Sequence, residues 1–232
     1  MRRLSLLIFA LCTAAAAEET NPNPALFPKD ARPYGRSIER WAERLWIWEY
    51  AQPFDHSPLF DRTGADCAVG QEGPVWFLDA VPGGSLGSKV TRRCTIPAHR
   101  ALLLALSSAL NDYPCPDPTF KPAPGETLFD FLLDAIAPLI DKSGSFEVTL
   151  DGTQIKNVLS YRYTSDDVFY FKGDLSLKAA YDSCVTGQLQ AGVADGHFLM
   201  FKPLTPGNHT IVVNGHDMTG MAVTLIEELT IR

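Results

Sequence analysis

Residues Gly73–Leu110 read GPVWFLDAVPGGSLGSKVTRRCTIPAHRALLLALSSAL, and this stretch decides the fold class. It contains two strongly apolar runs, Val75–Val81 and Ala101–Leu106, joined by a glycine-rich connection and a polar segment. Neither run alternates cleanly between apolar and polar residues, which is typical of strands that are buried on both faces. We therefore predict that the two runs are the central strands of a β-sandwich.

The chain downstream of this stretch keeps a β-strand pattern. From Phe146 onward apolar and polar residues alternate, and Asp151-Gly152 is a strong signal for a two-residue hairpin turn. Pro203–Gly207 predicts a second hairpin, between strands at 197–202 and 208–213. Short strands separated by closely spaced turns are typical of sandwiches and jelly rolls. We predict a mainly β protein, with a single domain that is like a β-sandwich or a jelly roll.

Two amphipathic segments predict accessory α-helices, near residues 37–51 and 127–140. Ser37 can cap the first helix, and Thr127 with Asp130 forms a capping-box pattern at the second. The first helix places Trp41 and Trp48 on one face. This face predicts a helix that is docked on a sheet, and a platform for stacking sugars is the alternative.

The N-terminal residues are typical of an export signal. Arg2 and Arg3 precede an apolar run that is too short to span a bilayer, and the small residues at 14–17 offer cleavage sites. The pattern predicts a signal peptide at 1–17, an extended and poorly ordered segment at 18–36, and the β-sandwich domain at 37–232. We therefore expect a secreted or periplasmic protein without membrane insertion.

The charge balance of the chain is acidic. There are 20 Lys and Arg residues against 27 Asp and Glu residues, which makes a formal net charge of −7 at pH 7, and no block of basic residues occurs. Such a surface does not attract nucleic acids or anionic membranes. We expect neither of them as a partner.

Four cysteines follow the predicted signal peptide, namely Cys67, Cys94, Cys115 and Cys184. An even number in an exported chain predicts two disulfides, and three connectivities exist for them. We favour Cys67–Cys94 with Cys115–Cys184, because sequential pairing closes separate loops. A zinc site is the rival hypothesis, and the chain has no CxxC motif or Cys/His cluster to support it.

Motifs of catalysis are missing from the sequence. It contains no GxSxG, no HExxH and no glycine loop followed by the Lys-Ser/Thr of a phosphate site. The catalytic residues are therefore unknown, and we predict no cofactor. The loop at 52–73 concentrates six polar side chains that suit either a calcium or catalytic site or ordinary turns. These residues are Asp55, His56, Asp61, Arg62, Asp66 and Gln71.

One set of residues near the C-terminus is a candidate ligand or metal site. If Pro203–Gly207 is a hairpin loop, His197 and His209 share a sheet face and Asp195 lies at the end of that face. Histidine together with carboxylate is what a transition metal or a proton transfer requires. In the alternative, the histidines lie at the rim of the sheet and only bond to the loop backbone.

Several short phrases of the sequence belong together. They are Gly73-Pro74-Val75-Trp76-Phe77-Leu78, Cys94-Thr95-Ile96-Pro97-Ala98, Asp151-Gly152 and Pro203-Leu204-x-Pro206-Gly207-x-His209-Thr210-Ile211. In this order they resemble a family of exported, mostly bacterial proteins of unassigned function. The resemblance runs from about Trp41 to the C-terminus, and it implies no activity.

Two functional classes remain after these observations. We favour a non-catalytic binding protein for a glycan, an envelope component or a protein partner, because the chain combines aromatic residues and disulfides with no catalytic motif. The alternative is an extracytoplasmic enzyme, a hydrolase or lyase on a polysaccharide, that uses Asp and His residues on the face of a jelly roll.

Overall fold

A computed structural model describes residues 21–80, 89–216 and 222–232. The predicted signal peptide at 1–17 lies outside these residues, as does the glycine-rich connection at 82–87. Within them the chain forms ten strands and three helices. The strands are β1 (Val75–Leu78), β2 (Lys89–Ile96), β3 (Ala101–Tyr113), β4 (Glu147–Leu150), β5 (Thr153–Gln154), β6 (Arg162–Thr164), β7 (Phe169–Lys172), β8 (Leu189–Phe201), β9 (Gly207–His216) and β10 (Ala222–Ile231). The helices are α1 (Ile38–Tyr50), α2 (Leu128–Asp141) and α3 (Leu177–Ala180).

The strands form two five-stranded sheets, which we call sheet A and sheet B. Sheet A has the order β1-β3-β8-β6, with β7 pairing to another part of β8, and sheet B has the order β2-β10-β9-β4-β5. The pairs β1/β3 and β2/β10 are parallel, and the others are antiparallel. The prediction of a mainly β, sandwich-like domain is confirmed, and the jelly roll stays a prediction.

Sheet B buries one of its faces in a core that it shares with sheet A. Strands β2 and β10 alternate between buried and more exposed residues, so that Val90 and Leu225 point inward. They join Leu102 and Leu199 of sheet A in one apolar cluster. Each fully buried leucine of this kind contributes about 1.5–3 kcal/mol. The alternating residues of β2 and β10 therefore belong to strands that are buried on one face only. The first residues of β3 are buried without interruption, because other parts of the protein pack on both faces of this strand.

Helices α1 and α2 cover opposite faces of sheet A. Val193 of β8 packs with Ile136 of α2, whereas the next residue, Ala194, packs with Trp46 of α1. Consecutive residues of a strand point to opposite faces, so the two helices flank the sheet. The tryptophan-rich face of α1 is buried in the core, and the alternative of an exposed stacking platform on this helix is wrong.

Both long helices begin at the predicted capping residues. Ser37 Oγ accepts a hydrogen bond from Arg40 N–H at 3.5 Å, and Thr127 Oγ1 accepts one from Asp130 N–H at 3.1 Å. Helix α2 contains Pro138 and continues past it to Asp141. A proline inside a helix removes one backbone hydrogen bond and therefore favours a helix end at the preceding residue. Helix α3 has four residues, too few to show a periodic pattern in the sequence.

Both favoured disulfides are present. Cys67 is bonded to Cys94, and Cys115 is bonded to Cys184, across sequence separations of 27 and 69 residues. Loop-closure entropy assigns about 3–5 kcal/mol to bridges of such spans. Because all four thiols are consumed, these cysteines are not free to form the zinc site that was the rival hypothesis. The disulfides fit a protein from an oxidising compartment.

The first apolar run is not a central strand. Among the described residues, β1 lies at the edge of sheet A and pairs only with β3. It is nevertheless buried, because the side-chain amide of Gln71 takes the place of a neighbouring strand. Gln71 Oε1 accepts a hydrogen bond from Phe77 N–H at 3.0 Å, and Gln71 Nε2 donates one to Phe77 C=O at 2.8 Å. An apolar run therefore does not distinguish a central strand from a covered edge strand.

The turn at Pro203–Gly207 does not close a hairpin, so this prediction is wrong. Strand β8 lies in sheet A beside β3 and β6, whereas β9 lies in sheet B between β10 and β4. The turn therefore carries the chain from one sheet to the other. The residue pattern is the same in both arrangements, because alternation records a buried face and not the neighbouring strand.

The segment before α1 is docked on sheet A, although its composition predicts poor order. The structure describes residues 21–36 of it, and Leu26 is fully buried in a bridge with Phe201. Phe27 N–H also donates to Met200 C=O at 2.9 Å. Burial of Leu26 and these backbone hydrogen bonds offset part of the chain entropy that is lost.

Candidate functional site

The residues of the predicted ligand site lie in two different sheets. Asp195 and His197 belong to β8 of sheet A, and His209 belongs to β9 of sheet B. The shared face that a hairpin would provide does not form. Asp195 and His197 remain together, because residues two apart in a strand point to the same side.

Asp195 is fully buried, and both of its carboxylate oxygens have partners. They accept hydrogen bonds from Arg162 Nε at 3.0 Å, Arg162 Nη2 at 2.5 Å and Thr164 Oγ1 at 2.9 Å. Arg162 also donates to Asp141, in the last turn of α2, at 2.5 Å. The hydrogen bond to Asp195 raises the pKa of Arg162 above its usual range. This network joins α2 to sheet A, and it leaves Asp195 committed to a structural partner.

His197 is a buried and neutral histidine. Burial lowers the pKa of its imidazole, and the positive charge of Arg162 lowers the pKa further. Its ring centroid lies 6.2 Å from that of Phe146, and its Nδ1 has no hydrogen-bond partner among the residues that the structure describes. The neighbour on its own strand, Asp195, already binds Arg162, so the two side chains do not make a ready pair of metal ligands.

His209 supports a turn. Its Nδ1 lies 2.7 Å from Asp151 Oδ2 and its Nε2 lies 2.9 Å from Thr205 C=O, while Asp151 Oδ1 accepts Thr210 N–H at 2.8 Å. Burial alone would lower the pKa of His209, but the hydrogen bonds with Asp151 and Thr205 outweigh burial and raise the pKa. These contacts match the alternative reading of this histidine, in which it holds its own loop.

A groove lies elsewhere, at the polar loop between α1 and β1. Its volume of about 470 Å³ is within the range of small-molecule sites. The side chain of Phe54 and that of Asp66 mark its extent along the loop. We call it the loop groove, and it is lined by Phe54, Asp55, Ser57, Phe60, Asp61, Asp66 and Ala180.

Aromatic rings form the apolar part of the loop groove. The ring centroids of Phe54 and Phe60 are 4.8 Å apart, and that of Tyr181 is 5.1 Å from Phe60. Phe54 lines the groove and is 38% exposed, so that part of its ring faces solvent, whereas Tyr181 is not a lining residue and supports Phe60. Rings that other rings hold in place lose little freedom when a ligand stacks on them.

Three carboxylates, from Asp55, Asp61 and Asp66, form the polar part of the groove. Asp66 Oδ1 lies 3.3 Å from His56 Nδ1 in a solvent-exposed pair. Asp61 accepts hydrogen bonds from the N–H groups of Thr63 and Asp66, at 2.7 and 2.8 Å. Burial alone would raise the pKa of Asp61, but these hydrogen bonds outweigh it and lower the pKa. The groove is therefore negatively charged at neutral pH.

The loop that carries the groove is fastened to β2. Thr63 C=O accepts a hydrogen bond from Arg93 N–H at 2.8 Å, and the disulfide Cys67–Cys94 adds a covalent link. Gly64 has a φ of +84°, and a Cβ at this position would lie 2.4 Å from Arg93 O. Only glycine fits so close to a strand with this backbone conformation.

Arg92, on the inner face of β2, holds the same loop from below. Its Nε donates to Asp61 C=O at 2.6 Å, and its Nη2 donates to Leu59 C=O at 3.1 Å. The side chain is 4% exposed, so these hydrogen bonds are shielded from water. The loop groove thus has a preorganised base, as a binding site requires.

One further group of side chains has the composition of a metal site. Oxygens of Asp112 and Asp182 lie within 4.8 Å of each other and of Cys184 Sγ. Cys184 is in a disulfide and offers no thiolate. Asp182 accepts hydrogen bonds from Tyr50 Oη and from Cys184 N–H, both at 2.9 Å. The group therefore offers only two carboxyl side chains to a metal, and Asp182 already accepts hydrogen bonds from the protein.

Sequence reasoning found the loop of the groove but not its rings. It singled out the polar side chains Asp55, Asp61 and Asp66, and it did not consider Phe54 or Phe60. Two phenylalanines outside any periodic segment are a usable signal, because a loop without a buried face has no core to place them in. Tyr181 carries no such signal, since only the tertiary fold brings it to the loop.

Comparisons with known proteins leave the class of this chain open. No family model matches the sequence, and no curated protein matches it. A solved structure described as "Structure of PbICP-C in complex with falcipain-2" aligns with 67% of this chain and 98% of its own, at 12% identity and a TM-score of 0.26. A likeness at this TM-score carries no argument about fold or function. In the part of the chain that the structure describes, no helix is long and apolar enough to cross a membrane.

Proposed function

We propose that this protein is an exported, non-catalytic binding protein and that it binds a glycan in the loop groove. The observation that carries the proposal is the combination of part-exposed aromatic rings and carboxylate oxygens in one groove. Sugar rings present C–H faces that stack on aromatic rings and hydroxyl groups that donate to carboxylates. Binding sites for small molecules combine apolar walls with a few placed polar groups in this way.

The charge of the groove selects among glycans. Asp55, Asp61 and Asp66 repel uronic acids and phosphorylated sugars, and they favour neutral sugars or amino sugars with a free ammonium group. Two disulfides and the predicted signal peptide support a location outside the cytoplasm, where polysaccharides are available. The hydrogen bonds and the disulfide that fasten the loop support a preorganised binding surface.

One observation favours the second candidate, an extracytoplasmic hydrolase or lyase. Asp66 lines the groove and forms a solvent-exposed pair with His56, so the pair can exchange protons with a substrate bound beside Asp66. The buried Asp195 and His197 offer no such access. If the protein is an enzyme, its acid–base pair is therefore His56 and Asp66.

Calorimetric titration with neutral, amino-sugar and uronic-acid oligosaccharides tests the proposal. We expect binding of one of the first two classes, and about tenfold weaker binding by Phe54→Ala, because loss of a stacked ring costs about 1.4 kcal/mol. Tyr170→Ala is the matched control, since Tyr170 is 58% exposed in β7 and does not line the groove. The control should bind like the unmodified protein.

Two results would contradict glycan binding in this groove. One is the absence of binding for all three classes, and the other is equal affinity of Phe54→Ala and the unmodified protein. Release of new reducing ends from a polysaccharide, abolished by Asp66→Asn, would instead establish the hydrolase.

A further inference from the structure

A buried group of three carboxyl side chains surrounds one arginine next to the loop groove. Glu49 lies near the end of α1, Asp79 follows β1, and Glu227 of β10 is the register partner of Arg92 in β2. Each of these four residues is at most 4% exposed. We call them the carboxyl cluster. A narrow cavity connects the cluster with the loop, since Asp61 lines it together with Asp79, Arg92 and Glu227.

The carboxyl cluster has fewer hydrogen-bond donors than its oxygens can accept. Both carboxyl oxygens of Asp79, and Oε1 of Glu49 and of Glu227, have no partner among the described residues. Glu227 Oε1 lies 3.6 Å from Arg92 Nη1, which is longer than a hydrogen bond. Buried carboxyl groups without donors favour their protonated form, because a desolvated negative charge is costly.

The same groups titrate in the physiological range. Burial raises the pKa of Asp79 to about 6, although a proton shared with Glu49 and the charge of Arg92 offset part of this effect. Burial raises the pKa of Glu227 to about 7, and the charge of Arg92 again offsets only part. Burial, together with the charge of Asp79, raises the pKa of Glu49 well above its usual range. Between about pH 5 and pH 8, Asp79 and Glu227 therefore become ionised, whereas burial favours the neutral form of Glu49.

Three more titratable side chains face the cluster from the surrounding elements. The charge of Asp61, in the loop, adds to the repulsion on Glu227. Tyr181, after α3, and Tyr50, in α1, stay neutral because burial raises the pKa of each phenol. Arg92 is thus the cation that has to balance every ionised carboxylate of the cluster.

Arg92 also connects the cluster to the loop. Its guanidinium group donates to the backbone C=O of Leu59 and Asp61, as described above, and its Nη1 donates to Asp79 C=O at 2.8 Å. Hydrogen bonds to an ionised carboxylate are roughly twice as strong as those to a neutral carbonyl. Ionised Asp79 and Glu227 therefore attract the guanidinium group more strongly than the loop carbonyls do, and a shift of the group towards them lengthens its hydrogen bonds to the loop.

We propose that the carboxyl cluster is a pH-sensitive latch for the loop groove. In acid, protonated carboxyl groups leave Arg92 bonded to the loop. At higher pH, ionised Asp79 and Glu227 draw the guanidinium group away from Leu59 and Asp61, and the loop loosens. The pH-dependent release of the loop is a property of the ligand-free protein. The further expectation that pH controls the affinity for a glycan rests on the proposed function.

Hydrogen exchange of the ligand-free protein tests the latch. Protection factors are compared at pH 5 and pH 8 for the amides of Asp66, Cys67 and Val69, with amides of β3 as the internal reference. We expect protection of the loop to fall about tenfold or more relative to β3, because one pKa unit corresponds to a tenfold change in an equilibrium. Glu227→Gln removes one of the two ionising groups, so its loop should lose less protection at pH 8 than the loop of the unmodified protein.

Glu228→Gln is the matched control, because this neighbour in β10 lies on the exposed face and pairs with Arg93 at 2.7 Å. It should lose protection like the unmodified protein. Equal loop protection at both pH values in the unmodified protein would overturn the latch, and so would a loss of protection in Glu227→Gln at pH 8 as large as in the unmodified protein. If Glu227→Gln does not fold, Asp79→Asn replaces it with the same two outcomes. A glycan that fails to bind at either pH would count against the proposed function and leave the exchange result standing.

Discussion

At the scale of single residues, buried carboxyl groups make the stability of this protein depend on pH. Asp112 is a buried carboxyl group that lies outside the loop groove. It is 3% exposed, and its Oδ2 accepts a hydrogen bond from Gln190 Nε2 at 2.6 Å. Burial raises the pKa of Asp112 to about 7, and the charge of Asp182 contributes in the same direction. The folded protein therefore keeps a proton that an unfolded chain loses near pH 4.

Replacement of this residue has a predictable pH dependence. The folded pKa of Asp112 is above its unfolded value, so its contribution to stability is complete below about pH 4 and is lost as the pH rises to about 7. We expect Asp112→Asn to be more stable than the unmodified protein by roughly 1–3 kcal/mol at pH 8, with a smaller difference at pH 5. Urea unfolding at both pH values measures this change.

The control for this substitution is Asp117→Asn. Asp117 is exposed beyond the end of β3, and its hydrogen bonds with Thr119 lower its pKa, so it does not titrate between pH 5 and pH 8. Equal stability gains at pH 5 and pH 8 for Asp112→Asn would show that its proton is not held by burial.

At the scale of elements, sheet A depends on a side chain to complete an edge. Gln71 bonds both polar groups of Phe77 in β1, and its Nε2 also lies 3.2 Å from Cys67 C=O. An uncovered edge strand offers unpaired N–H and C=O groups to other chains. The Gln71 amide therefore serves stability and solubility at the same time.

Removal of this amide should be costly. We expect Gln71→Leu to lose about 2–4 kcal/mol of unfolding free energy, because two buried backbone groups of Phe77 lose their partners. Chemical denaturation measures the loss, and light scattering measures any association through the open edge. Gln154→Leu, at an exposed position of β5, should change neither quantity. A Gln71→Leu protein as stable as this control would refute the covering role.

At the scale of the whole molecule, two sets of carboxyl groups with opposite pKa shifts make the stability depend on pH. Burial raises the pKa of Asp79, Asp112 and Glu227 to between about 6 and about 7. Hydrogen bonds lower the pKa of a second set, on exposed turns. The second set consists of Asp61, Asp117, Asp151 and Asp174.

These two sets predict that the protein is most stable in mild acid. The buried set destabilises the fold as the pH rises from about 4 to 7, because its folded pKa values are raised. The exposed set stabilises the fold above its ordinary pKa and loses this effect as the pH falls below about 4. We expect the melting temperature to peak near pH 4–5, which calorimetry across pH 3–9 measures. A maximum above pH 7 would contradict this prediction.

Local patterns in the sequence predicted the features that depend on neighbours along the chain. Ser37 and Thr127 cap their helices through N–H groups three residues away, and Asp151-Gly152 makes its turn through its own backbone. The disulfides followed from an even cysteine count and from sequential closure of loops. The burial of Arg92 could have been predicted in the same way. Alternate residues of a strand share a face, so Arg92 lies on the buried face of β2 with Val90 and Cys94.

The amino-acid sequence by itself determined the β class, two helices, the disulfides and the loop that carries the groove. Tertiary structure alone decided that Pro203–Gly207 joins two sheets, which separates His209 from Asp195 and His197. It also decided that Tyr181 meets Phe60 and that Glu49 meets Asp79. The physical reason is that a strand pattern records which face is buried and not which strand lies beside it. The choice of neighbours depends on the packing of the whole core, and the functional surfaces follow from that choice.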